Sequence, residues 1–155
     1  MDGRAPEQAG LTPPAVPLRE QVERFFASYR DAFNSDDSAA VARHVAVPCL
    51  LVERELTLWS TPDQVLQAMT RLLTFYRESG AGQAHFVIEG LLPQGEVGVV
   101  ANVAWTIDQS EGRDGWNFRT GYNLRRHEEE WRIVCFTTFE DDRRPMGTGG
   151  VPTQR

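Results

Sequence analysis

Three side chains in this sequence carry chemistry that their neighbours make usable: Glu53, Tyr29 and Tyr122. Glu53 ends the apolar run Cys49-Leu50-Leu51-Val52. A carboxylate dragged into an apolar interior is harder to ionise, so its pKa rises toward the range of a general base for a carbon acid beside a carbonyl. The same residue at a strand end, next to Arg54 and Glu55, would face solvent and pair with an arginine. Period-two alternation does not choose between these, because both faces are apolar up to Val52. Tyr29 and Tyr122 fall on apolar faces of their own elements. Two phenol hydroxyls converging on one cavity would polarise a substrate oxygen; as ordinary core aromatics they would instead bond to backbone.

The aromatic content points to what such groups would act on. Apolar pockets with a few polar groups suit small hydrophobic ligands, and Trp59, Trp105, Phe26 and Thr120 are the expected ligand-contacting residues. Trp116 follows Gly115 and is expected at a loop edge, and Trp131 in the core. His44 is expected near a helix end and His85 on an exposed strand face. With His127, these histidines show no ligand-like spacing, and Cys49 and Cys135 belong to no CxxC cluster. No metal site is therefore expected. No Gly-rich phosphate loop is present, so no nucleotide or other cofactor is expected either.

Bulk properties narrow the partners. The chain has 155 residues and a formal net charge of −6, with sixteen arginines and no lysine. A negative surface disfavours nucleic acid and anionic membranes. No run approaches the roughly 18 apolar residues of a membrane span. Met1–Pro17 carries four prolines and no apolar centre, unlike a signal peptide. These features lead to the expectation of a cytoplasmic protein. The Pro/Gly-rich segments 1–16 and 143–155 are expected to be disordered tails around one domain, 17–142.

The elements that must hold the three residues follow from hydrophobic period. Val22, Phe25, Phe26, Tyr29 and Phe33 form one helical stripe after Pro17. A short second helix presents Val41 and Val45 before Pro48 stops it. Residues 49–59 read as one or two strands. Thr61, Pro62 and Gln64 compose a capping box that opens a third helix, with Val65, Leu66, Met69, Leu72, Leu73 and Tyr76 on its buried face and Gly80 at its end. The period then changes to two. Ala84, Phe86, Ile88 and Leu92 share one face of a strand. Val97, Val99, Ala101, Val103, Trp105 and Ile107 share a face of the next. Phe118, Thr120, Tyr122 and Leu124 follow on a third, and Trp131, Ile133, Cys135 and Thr137 on the last. Short turns between long strands require antiparallel pairing. Three amphipathic helices can cover one face of such a sheet.

This element order, with the closing segment Tyr122-Asn-Leu-Arg-Arg and the later Trp131-Arg-Ile-Val, resembles the NTF2-like (SnoaL-like, ketosteroid-isomerase-like) superfamily over about residues 18–142. The resemblance implies an α+β cone: three helices on a strongly curved, mainly antiparallel sheet. Within it, ketosteroid isomerases place a tyrosine on helix 1, a carboxylate base on the first strand and a protonated aspartic acid on a later strand. Carried over, these positions fall on Tyr29, Glu53 and Tyr122; a glutamate stands where the family has aspartate, and a tyrosine replaces the acid. The functional expectation is a cofactor-free pocket that binds or converts a small hydrophobic molecule by acid/base chemistry, of isomerase, cyclase or hydratase type. The alternative is a non-catalytic binding or dimerisation module with a filled cavity. The mixed face carrying Val100, Asn102 and Thr106 is too apolar for full exposure and suggests a homodimer.

Overall fold

The computed structural model describes residues 16–110 and 114–141. The expected tails therefore lie, apart from Val16, outside the described residues. The described residues form three helices, α1 (Leu18–Asn34), α2 (Ser38–Ala42) and α3 (Pro62–Glu78), and six strands. The strands are β1 (Val45–Val52), β2 (Leu56–Trp59), β3 (Ala81–Gln94), β4 (Gly98–Gln109), β5 (Trp116–His127) and β6 (Glu130–Asp141). They make one sheet in the order β2-β1-β6-β5-β4-β3. Every pairing is antiparallel except β1 with β6. The expected α+β cone is what the chain adopts.

Local chemistry explains most element ends. Asp37 caps α2 by accepting from the Ala40 N–H at 3.0 Å. The capping box of α3 forms as expected: the Thr61 side chain accepts from the Gln64 backbone, and Gln64 Oε1 accepts from the Thr61 N–H. The helix stops at Glu78, and Gly80 takes the left-handed conformation (φ 79°) that reverses the chain into β3. Leu66, expected on the buried face of α3, is 38% exposed, and Ala68 takes the inward position. α1 is tied to the sheet at its C-terminus. Asn34 Oδ1 accepts from the Ala84 N–H at 2.8 Å, and its Nδ2 donates to the Ala84 carbonyl at 3.2 Å.

Three expected details are corrected. Val45 opens β1 instead of lying on the second helix, and Pro48 sits inside that strand. The α2 helix has already ended at Ala42, and the His44 carbonyl accepts from the Ile133 N–H at 2.8 Å, which recruits the chain to β6. The register against β6 shifts between Val45 and Leu50, which accommodates a proline that cannot donate. In β3 a register shift between Ile88 and Gly90 reverses the alternation, so Leu91 packs inward and Leu92 is 60% exposed. In β6 an extra residue at Val134 does the same: Phe136 and Thr138 face inward where Cys135 and Thr137 were expected. Such bulges also bend and twist a sheet, which helps it curl around α1.

At one end of the cone Gln21 Oε1 accepts from Trp131 Nε1 at 3.0 Å, with the Arg126 guanidinium 5.3 Å from the Trp131 ring centre. The other end is open. No helix among the described residues is long and apolar enough to cross a membrane.

Candidate functional site

The inner face of the sheet and the buried stripe of α1 leave a cavity of about 110 Å³. That is room for several waters or a small ring-bearing molecule. Its wall is aromatic: three tyrosines, three tryptophans and four phenylalanines line it, including all the tyrosines in the chain. Tyr29, Glu53 and Tyr122 all lie on this cavity.

Tyr29 reaches it because Val22, Phe26, Tyr29 and Ala32 are the buried positions of α1. Its ring packs between those of Phe33, at 5.1 Å, and His44, at 5.4 Å. The Tyr29 hydroxyl has no hydrogen-bond partner among the described residues. Tyr122 stands mid-strand on β5, opposite Ala101 on one side and Phe136 on the other. Trp105 Nε1 donates to the Tyr122 oxygen at 2.8 Å, which leaves the phenol proton to be donated in turn. Both side chains are 3% exposed. Burial raises the pKa of each above its ordinary value; for Tyr29 the nearby Tyr122, Tyr76 and Cys49 add to the rise, and for Tyr122 the Trp105 and Thr120 side chains oppose it. Both therefore keep their protons at neutral pH and remain donors.

Glu53 occupies the bend between β1 and β2, half-buried, with its backbone N–H donating to the Glu55 carbonyl at 3.1 Å. Parallel pairing of Val52 with Thr137 sets Glu53 at the level of Thr138, whose hydroxyl lies 3.1 Å from that of Thr120. Thr120 is the one buried polar residue of the core among the described residues. A second carboxylate, Asp141, lines the same cavity from the end of β6, where it pairs with Phe118. Trp116 Nε1 donates to Asp141 Oδ1 at 2.7 Å.

Of the expected ligand-contacting residues, Trp59, Trp105 and Thr120 line the cavity; Phe26 does not, and packs behind Tyr122 with ring centres 4.8 Å apart. Trp116, expected at a loop edge, is 6% exposed in the cavity wall. Asp141, Thr138 and Tyr76 were not singled out in the sequence as site residues. Tyr76 carried a signal, being on the apolar stripe of α3. Thr138 and Asp141 were hidden by the bulges of β6.

The remaining titratable groups stand apart. His44 Nδ1 faces the Ala40 carbonyl at 2.9 Å and must donate to it, so Nε2 accepts from the Ser28 hydroxyl at 2.9 Å. Burial lowers the His44 pKa, outweighing the backbone carbonyls that favour its charged form. His85 is exposed and contacts Asp108 at 2.9 Å. Burial pushes the Cys49 thiol up to about 12, with Cys135 adding to the rise, which leaves it an inert core group. Among the described residues no three His, Cys, Asp or Glu side chains gather as metal ligands.

Comparison with solved structures places the fold among known ones. An NTF-2-like protein of unknown function from Shewanella oneidensis MR-1 superposes with a TM-score of 0.65 at 12% identity, over 79% of this chain and 98% of that one. Aln2 from a Streptomyces species gives 0.64 at 16% identity, over 84% and 96%. A ketosteroid isomerase-like protein from Erwinia carotovora atroseptica gives 0.58 at 16% identity, over 78% and 94%. Likeness at such identity speaks for the fold alone. No curated protein matches the chain. The family model described as NTF2-like protein (DUF6841) matches residues 19–141, which takes in nearly every element from α1 to β6, and the chain belongs to that NTF2-like family.

Proposed function

We propose that the cavity binds a small hydrophobic molecule bearing an acceptor oxygen and converts it by cofactor-free acid/base chemistry of the isomerase, cyclase or hydratase kind. Tyr29 and Tyr122 hold the oxygen, and Glu53 moves the proton. Trp59, Trp105 and Thr120 contact the ligand body. One observation carries this reading: the Tyr29 phenol, 3% exposed on an aromatic cavity, has no hydrogen-bond partner among the described residues. Tyr122 stands beside it with its oxygen already accepting from Trp105 and its proton available. The hydroxyl opens on the cavity, so a ligand oxygen there would accept the hydrogen bond that water would otherwise take.

The test is a pair of ligands that differ by the oxygen. Quenching of Trp105 and Trp116 fluorescence by 1-tetralone should saturate, and 1-tetralone should bind about tenfold tighter than tetralin. In the Tyr29→Phe/Tyr122→Phe double variant that preference should vanish. Equal affinity in the unaltered protein would remove the donor role, and no saturable quenching by either compound would remove the pocket reading.

A second reading, homodimerisation, has its own observation. Asn102 is exposed at the middle of β4, flanked by Gly90 and Gly121 on the neighbouring strands. A side chain at Gly121 would come within 3.1 Å of Asn102 Oδ1. The glycines keep this outer face flat, with Val100, Thr106 and the exposed Leu92 and Val87 around it. A second copy laid on this face would cover the apolar groups and pair the two Asn102 amides. Sedimentation should show a dimer at high micromolar concentration, and Val100→Arg should convert it to monomer. A monomer in the unaltered protein at that concentration would exclude the interface.

A further inference from the structure

Ser28 and His44 meet outside the cavity, and neither lines it. Ser28 is an exposed position of α1, and its hydroxyl lies 2.9 Å from His44 Nε2. A serine inside a helix ordinarily turns its hydroxyl to water or to the carbonyl one turn back. Here the hydrogen bond crosses to the segment between α2 and β1, 16 positions along the chain.

The imidazole is oriented through its other nitrogen. Ala40 sits in the last turn of α2, where carbonyls run out of helical partners. The His44 N–H, four residues on, bonds to the Val41 carbonyl at 3.0 Å instead. His44 Nδ1 meets the Ala40 carbonyl at 2.9 Å, and because a carbonyl only accepts, Nδ1 carries the hydrogen. The Nε2 of the neutral ring then points its lone pair at the Ser28 hydroxyl. Phe25 and Tyr29 meet the ring edge-on, at 5.3 Å and 5.4 Å, and hold its plane. Burial lowers the His44 pKa; the Ala40 and Val41 carbonyls oppose this, and the charges of Arg132 and Arg43 add to it.

A hydroxyl, a base within hydrogen-bond reach, and a third group that fixes the base are the parts that activate a serine. All three are present, and the hydroxyl is open to solvent. The surrounding charge suits acyl transfer. Arg43 is exposed and makes no ion pair among the described residues. Arg132 pairs with Glu130 at 2.6 Å and neighbours Ile133, whose N–H donates to the His44 carbonyl at 2.8 Å. Negative charge developing on a carbonyl oxygen beside Ser28 is attracted by these cations, weakened by solvent.

We propose that Ser28 is a nucleophile toward activated carboxylic esters, with His44 as its general base and the Ala40 carbonyl as the group that orients that base. The Ser28 oxygen bonds to the ester carbonyl carbon as its proton passes to His44 Nε2, and the C=O π pair moves onto oxygen. The tetrahedral oxyanion then re-forms the carbonyl. The bond to the leaving oxygen breaks with its electron pair, and His44 returns the proton to that oxygen. Water attacks the acyl-serine by the same path, releasing the carboxylic acid and restoring Ser28. This site is independent of the cavity and of the chemistry proposed there.

The probe is 4-nitrophenyl acetate, whose leaving group is coloured. The chain contains no lysine, so no side-chain amine competes for the acetyl group. Mixed with the full chain near neutral pH, the ester should release a burst of 4-nitrophenolate stoichiometric with protein. Acid quenching within the burst, followed by peptide mass mapping, should place the acetyl group on Ser28. Ser28→Ala should abolish the burst. His44→Gln should slow acylation of Ser28 by about 10²–10⁴, with circular dichroism confirming that the variant folds. Absence of acetyl on Ser28 in the unaltered protein overturns the proposal, even where a variant does not fold. A burst that survives in Ser28→Ala puts the nucleophile elsewhere, and an unchanged rate in folded His44→Gln removes the base; either result overturns the assignment.

Discussion

Replacing Glu53 by glutamine should lower the rate of proton abstraction inside the cavity by about 10²–10⁴, the span a positioned general base supplies, while the affinity for an uncharged aromatic ligand stays within about twofold. The measurement needs no knowledge of the natural substrate. 5-Nitrobenzisoxazole is a neutral, flat carbon acid that reports its own deprotonation by a colour change. Glu53 takes the C3 proton, the C–H electron pair closes the nitrile, and the N–O bond breaks to leave a phenolate oxygen. That oxygen gathers charge where Tyr29 and Tyr122 offer their phenol O–H groups. The glutamine variant keeps the size of the side chain and one acceptor oxygen, and it removes the basic site. The position supports this use. Glu53 lies half-buried on the cavity wall at the β1–β2 bend, with the backbone held by the Glu53-to-Glu55 hydrogen bond. An unchanged elimination rate in Glu53→Gln would assign the base elsewhere, with Asp141 the other carboxylate on the wall.

How far the sequence foretold this arrangement depends on whether a side chain's face follows from regular period. On β4 it does. Val99, Ala101, Val103, Trp105 and Ile107 alternate without interruption and all are buried. The capping box of α3 is a local hydrogen-bond pattern, so Thr61 and Gln64 announced it outright. On β6 the period fails. Trp131 and Ile133 point inward, but the residue inserted at Val134 moves the inward set to Phe136 and Thr138, and a further register shift carries Asp141 inward opposite Phe118. An unpaired bulge residue leaves no mark in hydropathy, because it is a property of two strands and not of one. This is why three cavity residues on β6, Phe136, Thr138 and Asp141, escaped the sequence reading. Glu53 was ambiguous for a related reason. Its side is set by the parallel pairing of β1 with β6, a contact between segments some 85 positions apart. Tyr29 and Tyr122 were legible because their buried neighbours repeat regularly on both sides.

Phe26 separates the architecture of the cavity from its contents. It was expected to touch ligand; it lies instead behind the wall, fully buried. Its ring centre is 4.8 Å from that of Tyr122, 6.2 Å from Tyr29, 6.5 Å from Trp105 and 6.1 Å from Phe86. One helical side chain thus supports both phenols and the indole that donates to Tyr122. Phe26→Ala should cost about 3–5 kcal/mol of folding stability, the usual sum of lost transfer energy and residual void when a buried phenylalanine is truncated. In urea the midpoint should fall with the slope unchanged, because the surface exposed on unfolding is nearly the same. Phe26→Leu fills most of the volume and should recover more than half of the loss. A truncation that cost under about 1 kcal/mol would mean that the ring clusters of α1 and the sheet collapse into the void. In the folded fraction of Phe26→Ala, Tyr29 and Tyr122 lose their common backing, so the tenfold preference for 1-tetralone over tetralin should shrink even though Phe26 touches no ligand. Geometry at the two hydroxyls, and not contact with Phe26, is what that preference would then report.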